Sequence, residues 1–174
     1  CHFFINKKNV FAKEFAMKNN AQYSGSNLVL NITRSIFTKD SITTSSKIDK
    51  EYFDSFISLH DEVFPKTYFN SHTILNRLNR NNNLLIIKGN ESAIKGYVYI
   101  EAKPEHKEGN IEYIAVSTEY RSQGVGKMLV IDALKNLFSY PSIDEITICV
   151  SSENEAAINL YKSVGFNEKY ALDS

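Results

Sequence analysis

The sequence has no excess of either charge, no long apolar run and few cysteines. Lys plus Arg number 20 and Asp plus Glu number 20, so the net charge is zero at pH 7. Because the chain has no net positive charge to attract polyanions, we expect neither nucleic acid nor an anionic membrane as a partner. The longest apolar run is far shorter than the ~20 residues of a membrane-spanning helix. The first residues also lack the charged and then apolar pattern of a signal peptide.

Two cysteines, Cys1 and Cys149, are too few for a disulfide framework. Cys149 lies within the apolar run 146–150, which predicts a thiol buried in a strand. This low cysteine content indicates a reducing compartment, so we expect a cytoplasmic protein. Lys outnumbers Arg, and Asn and Ile are frequent. Such a bias is typical of AT-rich genomes and indicates a bacterial source.

The chain has 174 residues, 43% of them apolar, which is enough for one compact domain with an appended segment. From residue 49 onward, apolar spacing predicts two helices, three strands, and then helix, strand, helix and strand. This order is typical of the α/β class with one mixed sheet. The polar stretch 38–50 indicates a boundary near Lys39–Asp40. We therefore expect an N-terminal extension at 1–40 and the main domain at 41–174.

The segment from Val116 to Lys127 joins a predicted strand to an amphipathic helix that opens with two glycines. The first N–H groups of a helix have no partner within it, and glycine lets a phosphate approach the backbone closely. Arg121 and Lys127 add positive charge beside these groups. The segment therefore predicts a site for a phosphate, or for a diphosphate.

Other interpretations of the two glycines compete with this one. A Walker loop needs a glycine five residues before Gly126, and the sequence has none there. A Rossmann loop needs a third glycine where Leu129 stands, and its ribose-binding acid follows a strand, whereas Asp144 precedes one. The structural alternative is a helix whose glycines only permit close packing.

The pattern Arg121-x-x-Gly124-x-Gly126 resembles the acyl-CoA pyrophosphate loop of the GNAT family of N-acetyltransferases. Residues 154–166 resemble a second segment of that family, N-x-x-A-x-x-L-Y-x-x-x-G-F, at every fixed position. The resemblance covers roughly residues 42–174. It implies a GNAT-like fold, with a central mixed sheet flanked by helices, and acetyl-CoA as the cosubstrate. It further implies transfer of an acetyl group to an amine: a small molecule, a peptide N-terminus or a lysine.

The same resemblance implies which residues contact acetyl-CoA. The third strand is expected to splay from its neighbour, so that its backbone grips the pantetheine at Ile114 and Val116. The pyrophosphate is expected on the loop. The full set of cosubstrate contacts is Ile114, Ala115, Val116, Arg121, Ser122, Gln123, Gly124, Val125, Gly126, Lys127 and Asn154.

Asn154 and Tyr161 lie seven residues apart, so they share one face of the predicted helix with ~10.5 Å between them. Asn154 can cap the helix, or its amide can hydrogen-bond the cosubstrate. Tyr161 taken alone fits a core aromatic residue. The resemblance instead implies that its hydroxyl protonates the departing CoA thiolate.

The base that removes the amine proton is expected on the third strand. Alternation along the strand places Glu112 on the same face as Ile114 and Val116. The resemblance implies a useful carboxylate there, with Glu108 as the second candidate. The alternative for Glu112 is an ordinary solvated carboxylate.

No metal is expected, because the histidines have no ligand spacing to acids or thiols. They are His2, His60, His72 and His106. Asp61 and Glu62 fit an exposed helix end, or else recognition of an amine cation. A non-catalytic module that senses acyl-CoA or binds a partner is the alternative function, and monomer and homodimer are both compatible with the sequence.

Residues 1–35 fit no part of the motif-bearing domain. At an offset of 145 residues, Ala12, Phe15, Asn20 and Ala21 echo residues 157–166. We therefore expect this segment to be the tail of a preceding, mostly absent repeat. The main domain also stops short of the last strand of the family, and residues 28–32 are expected to fill that vacant sheet edge.

Overall fold

The computed structural model describes residues 4–37 and 42–174. Within these ranges, eight strands form one mixed sheet flanked by five helices, which confirms the predicted α/β class. The helices are α1 Val10–Lys18, α2 Phe53–Val63, α3 Ser71–Arg77, α4 Val125–Phe138 and α5 Glu155–Val164. The strands are β1 Ile5–Asn6, β2 Ser26–Thr33, β3 Ser46–Lys47, β4 Asn82–Lys88, β5 Ile94–Lys103, β6 Glu108–Val116, β7 Glu145–Ser151 and β8 Asn167–Asp173.

The boundary expected at Lys39–Asp40 lies outside the described residues. No helix in the described ranges has both the length and the apolar character needed to cross a membrane.

The sheet buries apolar side chains on both of its faces. Helix α4, the predicted amphipathic helix, covers one face, and its apolar stripe is fully buried at Val130, Ala133 and Leu134. Helix α2 covers the other face, where the Phe56 ring meets the Tyr97 ring edge to face at 4.8 Å. Strands β4 and β5 lie between two hydrophobic cores, which explains why their sequences are nearly continuous apolar runs.

The strands are ordered β1-β8-β2-β7-β6-β5-β4-β3, and β6 with β7 is the one parallel pair among those described. This pairing joins Glu108–Ile111 to Glu145–Ile148 and then stops. Beyond it, residues 113–116 pair with β5 alone. The expected splay of the third predicted strand, β6, is therefore confirmed, and a cleft opens between β6 and β7.

Strand β2, from the N-terminal extension, lies inside the sheet. It pairs antiparallel with β7 from Asn27–Ser151 to Thr33–Glu145, and with β8 on its other side. Docking of residues 28–32 on the sheet is confirmed, whereas the expected edge position is wrong. The reason is that β7 and β8 are not paired with each other, so that the backbones of both find their partner in β2.

Arg34, directly after β2, ties the extension to the end of α4. Its guanidinium donates to the carbonyl oxygens of Phe138 (2.9 Å), Tyr140 (2.6 Å) and Ile143 (2.6 Å). The last carbonyls of a helix have no partner within it, and a cation is favourable at that end. The extension is thus held to the main body by charge-assisted hydrogen bonds as well as by strand pairing.

Candidate active site

A cleft of about 810 Å³ opens where β6 leaves β7. Its walls come from the end of α2, the second half of β6, the loop into α4, the end of β7 and the first turns of α5. Among the predicted site residues, Gln123 does not line it, because its side-chain amide turns away to the Glu119 carbonyl oxygen (2.8 Å). The other expected cosubstrate contacts, the expected proton donor and the first candidate base all line it: Glu112, Ile114, Ala115, Val116, Arg121, Ser122, Gly124, Val125, Gly126, Lys127, Asn154 and Tyr161.

The loop before α4 presents a run of free backbone donors to this cleft. The first backbone bond into the helix is from Met128 N–H to the Gly124 carbonyl oxygen, at 3.0 Å. None of the N–H groups of residues 122–127 donates to another described group. Such a run of outward-pointing amides at a helix N-terminus is the geometry that binds a phosphate or diphosphate.

The two glycines of the loop are required for different structural reasons. Gly124 has a left-handed φ of +80°, and a Cβ there would meet nothing within 4 Å, so its backbone conformation requires glycine. A Cβ on Gly126 would lie 3.2 Å from Leu160 Cδ2, so this glycine lets α4 approach α5 closely. Close packing, the structural alternative, therefore explains the glycine at position 126. It does not explain the glycine at position 124.

Two cations stand beside the free amides. Arg121 is exposed, and its Nε donates to the Val116 carbonyl oxygen at 3.2 Å. This bond holds the guanidinium at the mouth of the cleft. Lys127 is exposed in the first turn of α4. Both charges favour an anion at this end of the cleft.

Asn154 takes the capping role that the sequence left open. It is the N-cap of α5, and its side-chain oxygen accepts from Ala157 N–H at 3.1 Å. The cap fixes the start of α5 against the cleft. It thereby also fixes the direction of the helix that carries Tyr161.

Tyr161 is buried, with 3% of its surface exposed, yet it lines the cleft. No described group hydrogen-bonds its hydroxyl, whereas its ring packs on Phe166 with 5.9 Å between centroids. Burial raises the pKa of Tyr161 to about 12. The side chain is therefore a neutral proton donor, with its hydroxyl available to a ligand.

The expectation that Glu112 shares a face with Ile114 and Val116 is wrong. Tyr113 pairs with Tyr99, but Ile111 pairs with Ile100, so Glu112 is the extra residue of a β-bulge. The bulge interrupts the alternation of side chains along β6.

As a result, Ile114 and Val116 pack toward α4. The charged side chains near Glu112 belong to the opposite face of the sheet. Burial raises the pKa of Glu112, and the nearby Glu101 carboxylate raises it further. Glu112 still lines the cleft, whereas Glu108 is exposed at the start of β6 and is not part of the lining.

Cys149 is exposed in the cleft, so the predicted buried thiol is wrong. On β7, Ile148 and Val150 face the α4 core, and alternation turns Cys149 to the opposite face. That face is open here because β6 has moved away. Although the residue is exposed, the cleft walls displace water from around its thiol, which raises the pKa of Cys149, and the charge of Glu112 raises it further.

The sequence interpretation missed the aromatic end of the cleft. Phe64 and Tyr113 line it, with their ring centroids 5.2 Å apart. The Tyr113 hydroxyl hydrogen-bonds the Thr67 hydroxyl (2.6 Å) and accepts from Phe69 N–H (3.2 Å). Recurrent aromatic residues near the end of α2 were the signal that could have indicated this wall.

His60 packs against the rings of Phe64 and Tyr113 that form this wall. It is fully buried in α2, and its Nε2 donates to the Phe69 carbonyl oxygen at 2.9 Å. A carbonyl can only accept, so Nδ1 is the bare nitrogen and accepts from the Tyr97 hydroxyl. Burial lowers the pKa of His60, although its bond to Phe69 and the charge of Asp61 act in the opposite direction.

Other candidates stay outside the cleft. Asp61 and Glu62 are both exposed, as expected for a solvated helix end, and Glu62 lines a separate pocket of about 400 Å³. In the described part of the chain, no group of three His, Cys, Asp or Glu side chains could hold a metal ion.

Comparison with known proteins identifies the family and supports the fold. The model of the acetyltransferase (GNAT) family matches residues 47–166, which is 120 of the 174 residues. An N-alpha-acetyltransferase of Sulfurisphaera tokodaii is 37% identical over 66 residues, which are 38% of this chain and 40% of that protein.

Two solved structures share the fold. A GCN5-related N-acetyltransferase from Sphaerobacter thermophilus has a TM-score of 0.72 and 15% identity, over 98% of this chain and 56% of that one. A GNAT acetyltransferase from Colwellia psychrerythraea has a TM-score of 0.71 and 11% identity, over 98% and 62%. At such identities the likeness concerns the fold alone. The matches span less than two thirds of the length of each of these three relatives.

His60 should make the folded state less stable below about pH 6.5. Because burial lowers its pKa in the folded state, the unfolded chain takes up the proton first, near ~6.5. The stability is therefore complete above that pH and is lost as the pH falls toward the lower, folded-state pKa. Over this range, each unit by which the pH falls should lower the free energy of unfolding by up to ~1.4 kcal/mol through His60. Urea unfolding of wild type and His60→Gln at several pH values measures it.

His72→Gln is the matched control, since His72 is exposed on α3. It should keep the wild-type slope of unfolding free energy against pH, whereas His60→Gln should lose part of it. Equal slopes for wild type and His60→Gln would show that the buried imidazole is not the titrating group.

Proposed function

Because this chain belongs to the GNAT family of acetyltransferases, we propose that it moves an acetyl group from acetyl-CoA to a primary amine by direct attack in a ternary complex. One observation carries the proposal: a single cleft has free loop amides at one end and the unbonded hydroxyl of Tyr161 further along α5. Its volume of about 810 Å³ suits an extended ligand. We place the reaction in the reducing cytoplasm, because the chain has too few cysteines for a disulfide framework.

The loop suits the pyrophosphate of acetyl-CoA. The amides of residues 122–127 supply neutral donors, and Arg121 and Lys127 supply charge. From there the pantetheine would follow the open side of β6, where residues 112–116 lack a strand partner toward β7. An amide-containing arm laid along such a backbone can form the hydrogen bonds that β7 does not supply.

Acetyl transfer requires a neutral amine, an oriented thioester and a proton for the leaving sulfur. In the proposed reaction the amine nitrogen attacks the thioester carbon, and the C–S bond breaks as the tetrahedral intermediate collapses. Tyr161, protonated below its pKa of about 12, gives its proton to the thiolate and regains one from solvent. The proton that the amine loses passes to Glu112, directly or through water.

The acceptor would enter at the end lined by Phe64, Tyr113 and Glu112. Aromatic walls and one half-buried carboxylate suit an amine cation that carries an apolar group. A small molecule, a peptide N-terminus and a lysine all satisfy that description. The name of the Sulfurisphaera relative makes a peptide N-terminus the first acceptor to assay.

Release of free thiol from acetyl-CoA, with a panel of amines and peptides, tests the proposal. Turnover with any primary amine supports it. Binding of acetyl-CoA without turnover across the panel would favour a non-catalytic acyl-CoA sensor, and absence of binding would exclude both functions.

Gly124→Asp should abolish binding of acetyl-CoA, because it places a side chain and a negative charge where the pyrophosphate would lie. In wild type, a hundredfold excess of acetyl-CoA over the dissociation constant should add about 2.7 kcal/mol of stability. Thermal unfolding with and without ligand measures this. Gly25→Asp is the control, since Gly25 also has a positive φ and open space but lies outside the cleft lining. A stabilised Gly124→Asp protein would refute the assignment.

Tyr161→Phe removes only a hydroxyl that no described group binds, so folding and acetyl-CoA affinity should change little. The turnover rate should fall by roughly 10²- to 10⁴-fold if thiolate protonation contributes to the barrier. Tyr140→Phe, remote from the cleft, should keep the rate. An unchanged rate for Tyr161→Phe, under conditions where chemistry limits turnover, would mean that another donor supplies the proton.

Glu112→Gln should lower the rate most at neutral pH. A base must be ionised, and the pKa of Glu112 is raised, so the wild-type rate should fall as the pH drops through that raised value. The variant should lack this limb and recover partly toward pH ~10.4, where the amine deprotonates unaided. Glu108→Gln is the matched control on the same strand. If Glu108→Gln reproduces the loss and Glu112→Gln does not, the base is misassigned.

A further inference from the structure

Residues 5–28 and 150–173 have the same pattern of backbone bonds at a constant offset of 145 residues (154 − 9). The first pair of equivalent bonds lies at the N-caps of α1 and α5. The Asn9 side-chain oxygen accepts from Ala12 N–H at 3.0 Å, as that of Asn154 accepts from Ala157 N–H at 3.1 Å. Helix α1 is therefore capped like α5, residue for residue.

The two helices also end alike. In both, a left-handed residue follows the helix, Asn20 (φ 58°) in one case and Gly165 (φ 112°) in the other. The next N–H then reaches back five residues. The two equivalent bonds are Ala21 N–H to the Ala16 carbonyl oxygen (3.0 Å) and Phe166 N–H to the Tyr161 carbonyl oxygen (3.1 Å).

The repeat extends to strand pairing, which local sequence does not determine. Strand β1 pairs with β8 in the same register as β7 pairs with β2. Adding 145 to the number of a β1 residue, and subtracting 145 from the number of its β8 partner, gives a pair formed by β7 and β2. The equivalent pairs are Ile5–Asp173 with Val150–Leu28, and Asn6–Leu172 with Ser151–Asn27. The order β1-β8-β2-β7 is thus symmetric about the pair Asn27–Leu172.

This symmetry has a specific structural meaning. Helix caps recur in unrelated helices, but two distant pairs of strands rarely share one register and one offset by chance. The arrangement is that of two copies of one fold that meet at their last strands, each inserting its strand beside the other. On this interpretation, residues 42–174 are one copy with its sheet and helices, and residues 5–33 correspond to the end of another.

We propose that residues 5–33 are the end of a preceding copy of this fold, and that the exposed face of α1 packs against the rest of that copy. In α5, the equivalent face is covered: Ile158 and Tyr161 are buried, and Leu160 packs at Gly126 of α4. In α1 no residue is buried. Phe15, the counterpart of Leu160, is 67% exposed.

The occupant of this face is therefore a helix equivalent to α4. By the same offset, its glycine-opened start would lie about 20 residues before Cys1, since 145 − 126 is 19. The equivalence concerns the backbone rather than the side chains: Lys13, which forms an ion pair with Asp173, stands where the buried Ile158 stands in α5. Ala16 stands where Tyr161 stands in α5, and Phe11 stands where Ala156 does.

Cysteine labelling tests the proposal in two proteins: residues 1–174, and the product of the complete reading frame from its own start codon. Both carry Cys1→Ser and Cys149→Ser as background. Phe15→Cys reports on the face that should be covered. Lys18→Cys is the control, because Lys18 and its counterpart Ser163 are both exposed. Rates of reaction with a maleimide are compared.

We expect Phe15→Cys to react about tenfold more slowly, or slower still, in the complete product, and Lys18→Cys to react equally in both. Equal rates for Phe15→Cys would overturn the proposal. So would a reading frame with no further copy upstream of residue 1. Concentration-dependent protection of Phe15→Cys in the 174-residue chain would also overturn it, since a second copy of the chain would then cover the face.

Discussion

The parting of β6 from β7 is the constraint on which the rest of this structure depends. Parallel pairing ends at Ile111 and Ile148, and from there each strand must satisfy its backbone groups in another way. The space between the strands becomes the cleft, and the unpaired side of β6 becomes a set of hydrogen-bonding groups within it. Apart from Gln123, the residues assigned to acetyl-CoA contacts and to proton transfer border this opening.

The N-terminal extension supports that opening from the other side. The second half of β7 has lost β6, yet β2 pairs with β7 along its whole length. Without β2, residues 149–151 would have no strand on either side. Arg34 then joins the same extension to the end of α4, the helix whose start presents the free amides. A segment that carries none of the family motifs therefore stabilises both walls of the cleft.

The cleft is also divided electrostatically. Its loop end combines free amides with Arg121 and Lys127, whereas Glu112, whose pKa is raised by burial, lies toward the aromatic end. The neutral phenol of Tyr161 lines the same cleft, on α5. An anion and an amine would thus be drawn to opposite ends, which suits the transfer of a group between a phosphate-bearing donor and an amine acceptor.

Local sequence by itself determined the helices from α2 onward, the longer strands and the loop before α4; the two-residue strands β1 and β3 were not predicted. The stripe of α4, the cap at Asn154 and the left-handed Gly124 follow from side-chain spacing and backbone preference, which act within a few residues. The face of Glu112 could not be predicted so, because the bulge arises from the register of β6 against β5. The exposure of Cys149 depended on whether β6 remained beside β7.

Only the tertiary structure decided the place of β2. Any exposed strand side can accept another strand, so the sequence correctly indicated that residues 28–32 would dock, but it wrongly placed them at an edge of the sheet. The position between β7 and β8 satisfies the backbone of three strands at once, whereas an edge position would satisfy one side alone. Such long-range pairing is not encoded in any single segment, because it depends on which backbone groups the rest of the sheet has left unpaired.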